Sequence, residues 1–341
     1  MGNDEWLIVD SCIDRETHRP IALQYLEYLG VDIANRVHLV VATHWHNDHI
    51  RGIGEIHDAA RSAKFFCSAA LNHKEFWTFV AGSKERTPLS SYESEFDSIL
   101  ATIESRTPAG THPGSIGPNW ALENQCIHRG TLATVHALSP SHGTLTMSFR
   151  DRTGMEWQFP SVRREKGRPI CLGPNQSSVV LWVEFDGIKI LLGGDLEESS
   201  SPSIGWKAIV LSKARPPGKA SVYKVAHHGS PNADSPGIWQ DLLEADPYVV
   251  LTPFLAGPRP LPDKTDRQRI VALTSHAFLT ASRTGWQGKT KTRHPLALRA
   301  ARLRQRKLRT IEGPMGHVRF RMTIGRPSSA TFDTFNGAQP L

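Results

Sequence analysis

Val37-His38-Leu39-Val40-Val41-Ala42-Thr43-His44-Trp45-His46-Asn47-Asp48-His49-Ile50 is the stretch on which the fold turns. Val37–Thr43 is apolar, rich in valine and of strand length, which predicts a strand buried on both faces. The chain then breaks into the polar run His44–His49 before the helical pattern of Ile50–Ala60 begins. A strand, a loop dense in ligand-type side chains and a helix are thus expected in direct succession. Four fixed residues in the pattern HxHxDH arise by chance about once in several hundred chains of this length. Alternating positions of such a loop aim His44 and His46 at one metal ion, while Asp48 and His49 turn toward a second.

The same theme recurs on either side. Trp6–Asp10 reads as a short buried strand ending in Asp10, and Ile21–Leu29 as a helix stopped at Gly30. Lys64–Ser68, Thr131–Leu138, Thr144–Phe149, Ser221–Ala226, Tyr248–Thr252 and His317–Ile324 read as further strands, and Ser91–Ser105 as a helix. Ser178–Phe185 and Ile188–Leu192 flank Asp186-Gly187, a hairpin signal. The second of these strands runs into Gly193-Gly194-Asp195, where two missing side chains let the backbone approach a site closely and an anionic ligand can bridge two cations. Strand Ser221–Ala226 likewise ends in His227-His228-Gly229-Ser230. Thr107–Gly130 and Asp151–Pro174 read as loop insertions.

Composition sets the outer bounds. The chain has 341 residues, 39% of them hydrophobic and 21% charged, which excludes a disordered or fibrous protein. No apolar run reaches the length of a membrane span, the N-terminus has no signal-peptide pattern, and Cys12, Cys67, Cys126 and Cys171 form no CxxC spacing. A cytoplasmic protein with no membrane partner is the expectation. Forty Lys and Arg oppose 33 Asp and Glu, a formal charge of +7. The excess gathers in Arg163–Arg168 and in Lys289–Arg309, the latter with nine basic residues and no acidic one. Such stripes follow a polyanion backbone or form a solvated helix face, and the sequence leaves both open.

The order of aspartate strand, HxHxDH, strand with Gly-Asp and strand with His resembles the metallo-β-lactamase superfamily. Asn175–Leu181, Leu191–Asp195 and Lys224–Ser230 are similar to the hydrolase domain of the ComEC DNA-uptake proteins. The resemblance covers roughly Leu7 to Ile324. It implies an αββα sandwich of two mixed sheets with helices outside, here a single hydrolase domain over 1–325 with a tail at 326–341. By position, His44 and His46 would bind the first of two divalent ions, zinc first and manganese as the alternative. Asp48, His49 and His227 would bind the second, Asp195 would bridge, and His228 would face the substrate. Asp10 matches an orienting aspartate. Many members add a third histidine to the first metal, for which His142 is the nearest candidate.

The implied chemistry is hydrolysis by a metal-bound hydroxide, the metal pair lowering the pKa of bound water to about 7. Asp48 or Asp195 would align that hydroxide, and His228 or His142 would return a proton to the leaving group. Phosphodiesters in nucleic acid or nucleotides are the expected substrates, in line with the ComEC-like segments and the basic stripes. The alternatives are a hydrolase of a small ester, thioester or lactam, and a non-catalytic nucleic-acid-binding module on the same fold. Trp45 is the one tryptophan whose neighbours suggest base stacking.

Overall fold

From Leu39 on, alternate residues of Val37–Ala42 (β2) face two different cores, and this alternation builds the layers. In the computed structural model, which describes residues 5–14, 16–71, 91–108, 117–150, 173–254, 259–281 and 316–341, β2 is buried along nearly its whole length. Val37, Val40 and Ala42 join one cluster, with Leu23, Leu26, Ile53, Ile56, Phe96 and Ile99 from helices. Leu39 and Val41 join a second, with Val135, Ala137, Leu181 and Val183 from other strands. A period of two on a strand covered from both sides requires this split from Leu39 on; Val37 is out of phase, where the pairing with Trp6 and Leu7 shifts register.

The residues group into two compact units, 1–227 with 231–245 and 228–230 with 246–341. In the first unit, Trp6–Val9 (β1), β2, Lys64–Ser68 (β3) and Asn119–Ala121 (β4) form a sheet in that order, every pair parallel. Its outer face carries helices Ile21–Tyr28 (α1), Ile33–Arg36 (α2), Asn47–Ile50 (α3), Ile53–Ala59 (α4) and Ser91–Arg106 (α5). Its inner face meets Gln125–Arg129 (β5), Ala133–Ala137 (β6), Leu181–Phe185 (β7), Ile188–Leu192 (β8) and Ala220–Lys224 (β9), which are neighbours in sequence order. Pairs β5–β6, β6–β7 and β7–β8 are antiparallel, and β8–β9 is parallel. After His142–Arg150 (α6), helix Gly205–Leu211 (α7) covers the far face, where Trp206 meets Tyr223 edge-on at 6.3 Å. Helix, sheet, sheet, helix is therefore the order of layers.

In the second unit, Tyr248–Leu251 of strand Leu243–Leu251 (β10) pairs in parallel with His276–Leu279 (β11), and Gln339–Pro340 (β14) lies antiparallel to β11. Helix Lys264–Val271 (α8) starts on a capping box in which the Asp263 and Asp266 side chains each accept from the other's backbone N–H. His317–Thr323 (β12) and Arg326–Phe335 (β13) form a separate antiparallel ribbon.

Several expectations need correction. The first sheet is parallel, not mixed. Thr144–Phe149 is helix, because Ser141 Oγ accepts from Thr144 N at 3.1 Å and caps α6. The segment read as a loop over Thr107–Gly130 contains β4 and β5. One is three residues long and the other a polar edge strand in which only Ile127 is buried, so neither shows alternation. The expected tail holds β13 and β14. Arg163–Arg168, Lys289–Arg309, Cys171, Trp77 and Trp286 lie outside the described residues. Trp45 is 2% exposed and packs in the helix-side core, so stacking on bases is excluded for it. Among the described residues, no helix is long and apolar enough to cross a membrane.

Candidate metal centre

Each side chain of the centre stands at the C-terminal end of a strand. Asp10 follows β1 and adopts φ 61°, a left-handed conformation that a non-glycine residue holds only under constraint. The constraint is visible. Asp10 N donates to Val41 O at 2.8 Å, Asp10 Oδ1 accepts from Thr43 N at 2.7 Å, and Oδ2 accepts from Thr43 Oγ1 at 2.8 Å and His49 Nδ1 at 2.7 Å. One carboxylate thus ties the end of β1 to both ends of the HxHxDH loop.

These bonds fix the tautomers. Because the Thr43 hydroxyl donates to Asp10, its oxygen receives the Nδ1–H of His44 at 3.1 Å, and His44 Nε2 keeps a lone pair. His49 gives its Nδ1–H to Asp10 and turns Nε2 inward. His44 Nε2 and His46 Nδ1 approach to 3.1 Å. His49 Nε2 lies 3.3 Å from Asp195 Oδ1 and 3.7 Å from Asp48 Oδ2, while His44 Nε2 lies 3.8 Å from Asp195 Oδ2. The two Asp195 oxygens therefore address different histidines. Gly194 makes this approach possible: at φ 52°, a Cβ there would run into Ser178 Oγ, which accepts from Asp195 N at 3.0 Å.

The donor set fits a divalent metal. His44, His49 and Asp195 are buried and offer ligand atoms that all lie within 4.8 Å of one another. Two nitrogens bound tetrahedrally at about 2.0–2.1 Å from one zinc ion stand roughly 3.3 Å apart, close to the spacings found here. Outer partners that hold the second ring nitrogen, here Asp10 and Thr43, are the usual supports of ligating histidines. The electrostatics agree. Burial, with the nearby His49 charge, holds His44 well below the usual histidine range, so it is neutral. His46 is lowered as well, chiefly by burial. For His49, burial acts downward, but Asp10 and Asp195 outweigh it and raise the pKa to about 10. A cation entering this centre must displace that proton.

The histidine pair is held at φ 44° for His227 and φ 55° for His228. His227 N donates to Gly194 O at 3.1 Å; its Nε2 faces Asn175 Nδ2 at 3.3 Å and its Nδ1 faces Glu197 Oε1 at 3.6 Å. His228 belongs to the second unit, where it donates Nδ1–H to Thr252 O at 2.8 Å and stacks on Phe254 at 5.1 Å. His142 is not brought into the centre: its ring is 73% exposed and bonded to Glu123 at 2.6 Å. Glu197 and Asn175 beside His227 are polar neighbours that motif spacing does not single out, because they meet across 22 and 52 residues of chain.

The family model described as Metallo-beta-lactamase superfamily matches residues 2–153. That stretch carries the parallel sheet and the HxHxDH loop and is similar to the metallo-β-lactamase superfamily, whose members are generally metal-dependent hydrolases; the fold is that superfamily's α/β sandwich. Among solved structures, the chain is similar to a HARLDQ-motif metallo-β-lactamase mutant from Cronobacter sakazakii at 18% identity, over 59% of this chain and 57% of that one, with a TM-score of 0.32. It is similar to zinc-bound PqqB from Methylobacterium extorquens at 11% identity, over 64% and 55%, with a TM-score of 0.31. MEM-A1, a subclass B3 metallo-β-lactamase from a soil metagenome, shares 14% identity over 67% and 73%, with a TM-score of 0.31. The chain spans little more than half the length of the first two. A comparison with curated proteins finds no match.

Proposed function

We propose that the protein is a divalent-metal-dependent phosphodiesterase or nuclease acting on nucleic acid or nucleotides. The observation that carries the hydrolase reading is the convergence of His44, His49 and Asp195, with His46 Nδ1 at 3.1 Å from His44 Nε2 and the outer nitrogens of His44 and His49 already held. An imidazole-rich set with carboxylates suits zinc first and manganese second. Bound at His44, His46, Asp48, His49 and Asp195, divalent ions would supply Lewis acidity and acidify a water molecule.

The chain's own residues do the positioning. Asp10 keeps the Nδ1 proton of His49 in place, so the ring presents Nε2 only. Thr43 does the same for His44. Asp195, 2% exposed, directs one oxygen to each side of the centre. Asp48 is the exposed carboxylate of the loop and would meet substrate or an attacking water. Support for a phosphodiester comes from the formal charge of +7 and from the basic runs Arg163–Arg168 and Lys289–Arg309.

Replacing His46 and Asp48 by alanine separately tests the reading. Both residues are at least partly exposed, so folding should survive, as far-UV circular dichroism would show. Cleavage of bis(p-nitrophenyl) phosphate should fall at least about 100-fold in each. Full turnover in both variants would overturn the assignment.

A further inference from the structure

Beside the metal centre lies a second polar group set that the hydrolytic chemistry leaves unused. Asn175 stands on the turn Pro174–Ser177, three residues ahead of Ser178, whose hydroxyl holds Asp195 N. Its Nδ2 donates to Glu197 Oε1 at 3.1 Å and to His227 Nε2 at 3.3 Å. Asn232 Nδ2 donates to the same Glu197 oxygen at 2.9 Å. A carboxylate only accepts, so the amide of Asn175 has one permitted orientation, with nitrogen toward Glu197 and Oδ1 on the other side. Asn175 is 9% exposed, and its Oδ1 is buried and accepts no hydrogen bond among the described residues. Both amide donors use Glu197 Oε1, which leaves Oε2 as a second acceptor on a carboxylate 22% exposed.

The place of this group set matters as much as its chemistry. Glu197 is two residues beyond Asp195 on the same loop, and His227 is tied to Gly194 O. The group set is thus tied, by chain and by hydrogen bonds, to the loop that carries Asp195. A buried acceptor is costly to leave unmade, and a site containing one discriminates against analogues that lack the matching donor.

We propose that Asn175 Oδ1 and Glu197 form a specificity subsite that accepts a hydrogen bond from an O–H or N–H donor of the substrate next to the cleaved diester. This rests on the phosphodiesterase reading and narrows it: the substrate is a nucleotide diester with a donor beside the phosphate, either the sugar 2′-hydroxyl or an exocyclic base amine.

The test uses the whole protein, reconstituted with Mn²⁺ or Zn²⁺. kcat/KM is measured on uridylyl-(3′,5′)-uridine, on its 2′-deoxy counterpart and on the deoxyadenosine dinucleotide, with bis(p-nitrophenyl) phosphate as the donor-free reference. The proposal expects at least a tenfold preference for one donor-bearing dinucleotide over the deoxyuridine one. Preference for the ribodinucleotide assigns the donor to the hydroxyl, and preference for the adenine dinucleotide assigns it to the amine. Asn175→Ala should reduce that preference to near unity. The comparison between substrates needs no variant, and Glu197→Gln, which keeps the side chain's shape, should also weaken the preference if Asn175→Ala does not fold. Equal kcat/KM on all three dinucleotides, or a preference untouched in both variants, overturns the subsite while turnover of the reference keeps the phosphodiesterase reading intact. No turnover of any of the four overturns both.

Discussion

Asp10 gathers Thr43 and His49 through one carboxylate, so its loss should be felt at the metal and not only in the backbone. Asp10→Asn should lower zinc affinity about 10- to 100-fold, measured by competition with a chromophoric chelator. Unchanged affinity would mean that His49 is oriented without it. A second residue reports through pH. His57 is buried, and this burial, with the Arg106 cation beside it, lowers its pKa from 6.5 to about 4. The unfolded chain then takes up this proton before the folded one does. Its contribution is present above about pH 6.5, is lost progressively as pH falls toward about 4, and changes no further below that. Urea unfolding of wild type and His57→Gln across that window should show a shallower acid slope in the variant; identical slopes would contradict it. At this scale the HxHxDH residues and Asp10 were legible, because strand-end position and spacing are local properties. Glu197, Asn175 and the left-handed His227-His228 geometry were not, since they depend on contacts between distant segments.

Helix α4 follows the HxHxDH loop, and α5 holds it at both ends. Glu95 accepts from Gly52 N at 2.7 Å and Gly54 N at 3.1 Å, placing a carboxylate on the otherwise unpaired donors of the helix start. At the other end, Arg106 donates to His57 O at 2.7 Å and Asp58 O at 3.0 Å. Gly52 at φ 85° lets the chain turn between α3 and α4, where a Cβ would press on Ile13. Glu95→Ala should cost about 1–2 kcal/mol in urea denaturation. A change within about 0.3 kcal/mol would show that the clamp carries little. The Asp186-Gly187 turn was readable because both residues need positive φ, found at 46° and 81°. Helix α6 was misread as a strand because its Thr-rich run favours extended structure, and its cap at Ser141 was overlooked.

Across the whole molecule, the charge of +7 bears on the substrate class. If basic residues engage a nucleic-acid backbone, kcat/KM on an oligonucleotide should fall steeply between 50 mM and 200 mM salt, by about tenfold or more, with little change for bis(p-nitrophenyl) phosphate. Equal, shallow salt dependence would favour a small substrate. The layered sandwich was legible through the resemblance carried by the succession of strand-end ligands, with the apolar run of β2 marking a strand buried on both faces. Its division was not: β11, β13 and β14 are short or polar, and sequence periodicity offers no measure of which strands group together.

The most direct test of the metal centre is elemental analysis of protein purified without chelator, paired with turnover of bis(p-nitrophenyl) phosphate in Mn²⁺ or Zn²⁺. About two divalent ions per chain with turnover are expected, both falling in His44→Ala and Asp195→Asn. A protein that holds no metal and shows no turnover after reconstitution would contradict the account.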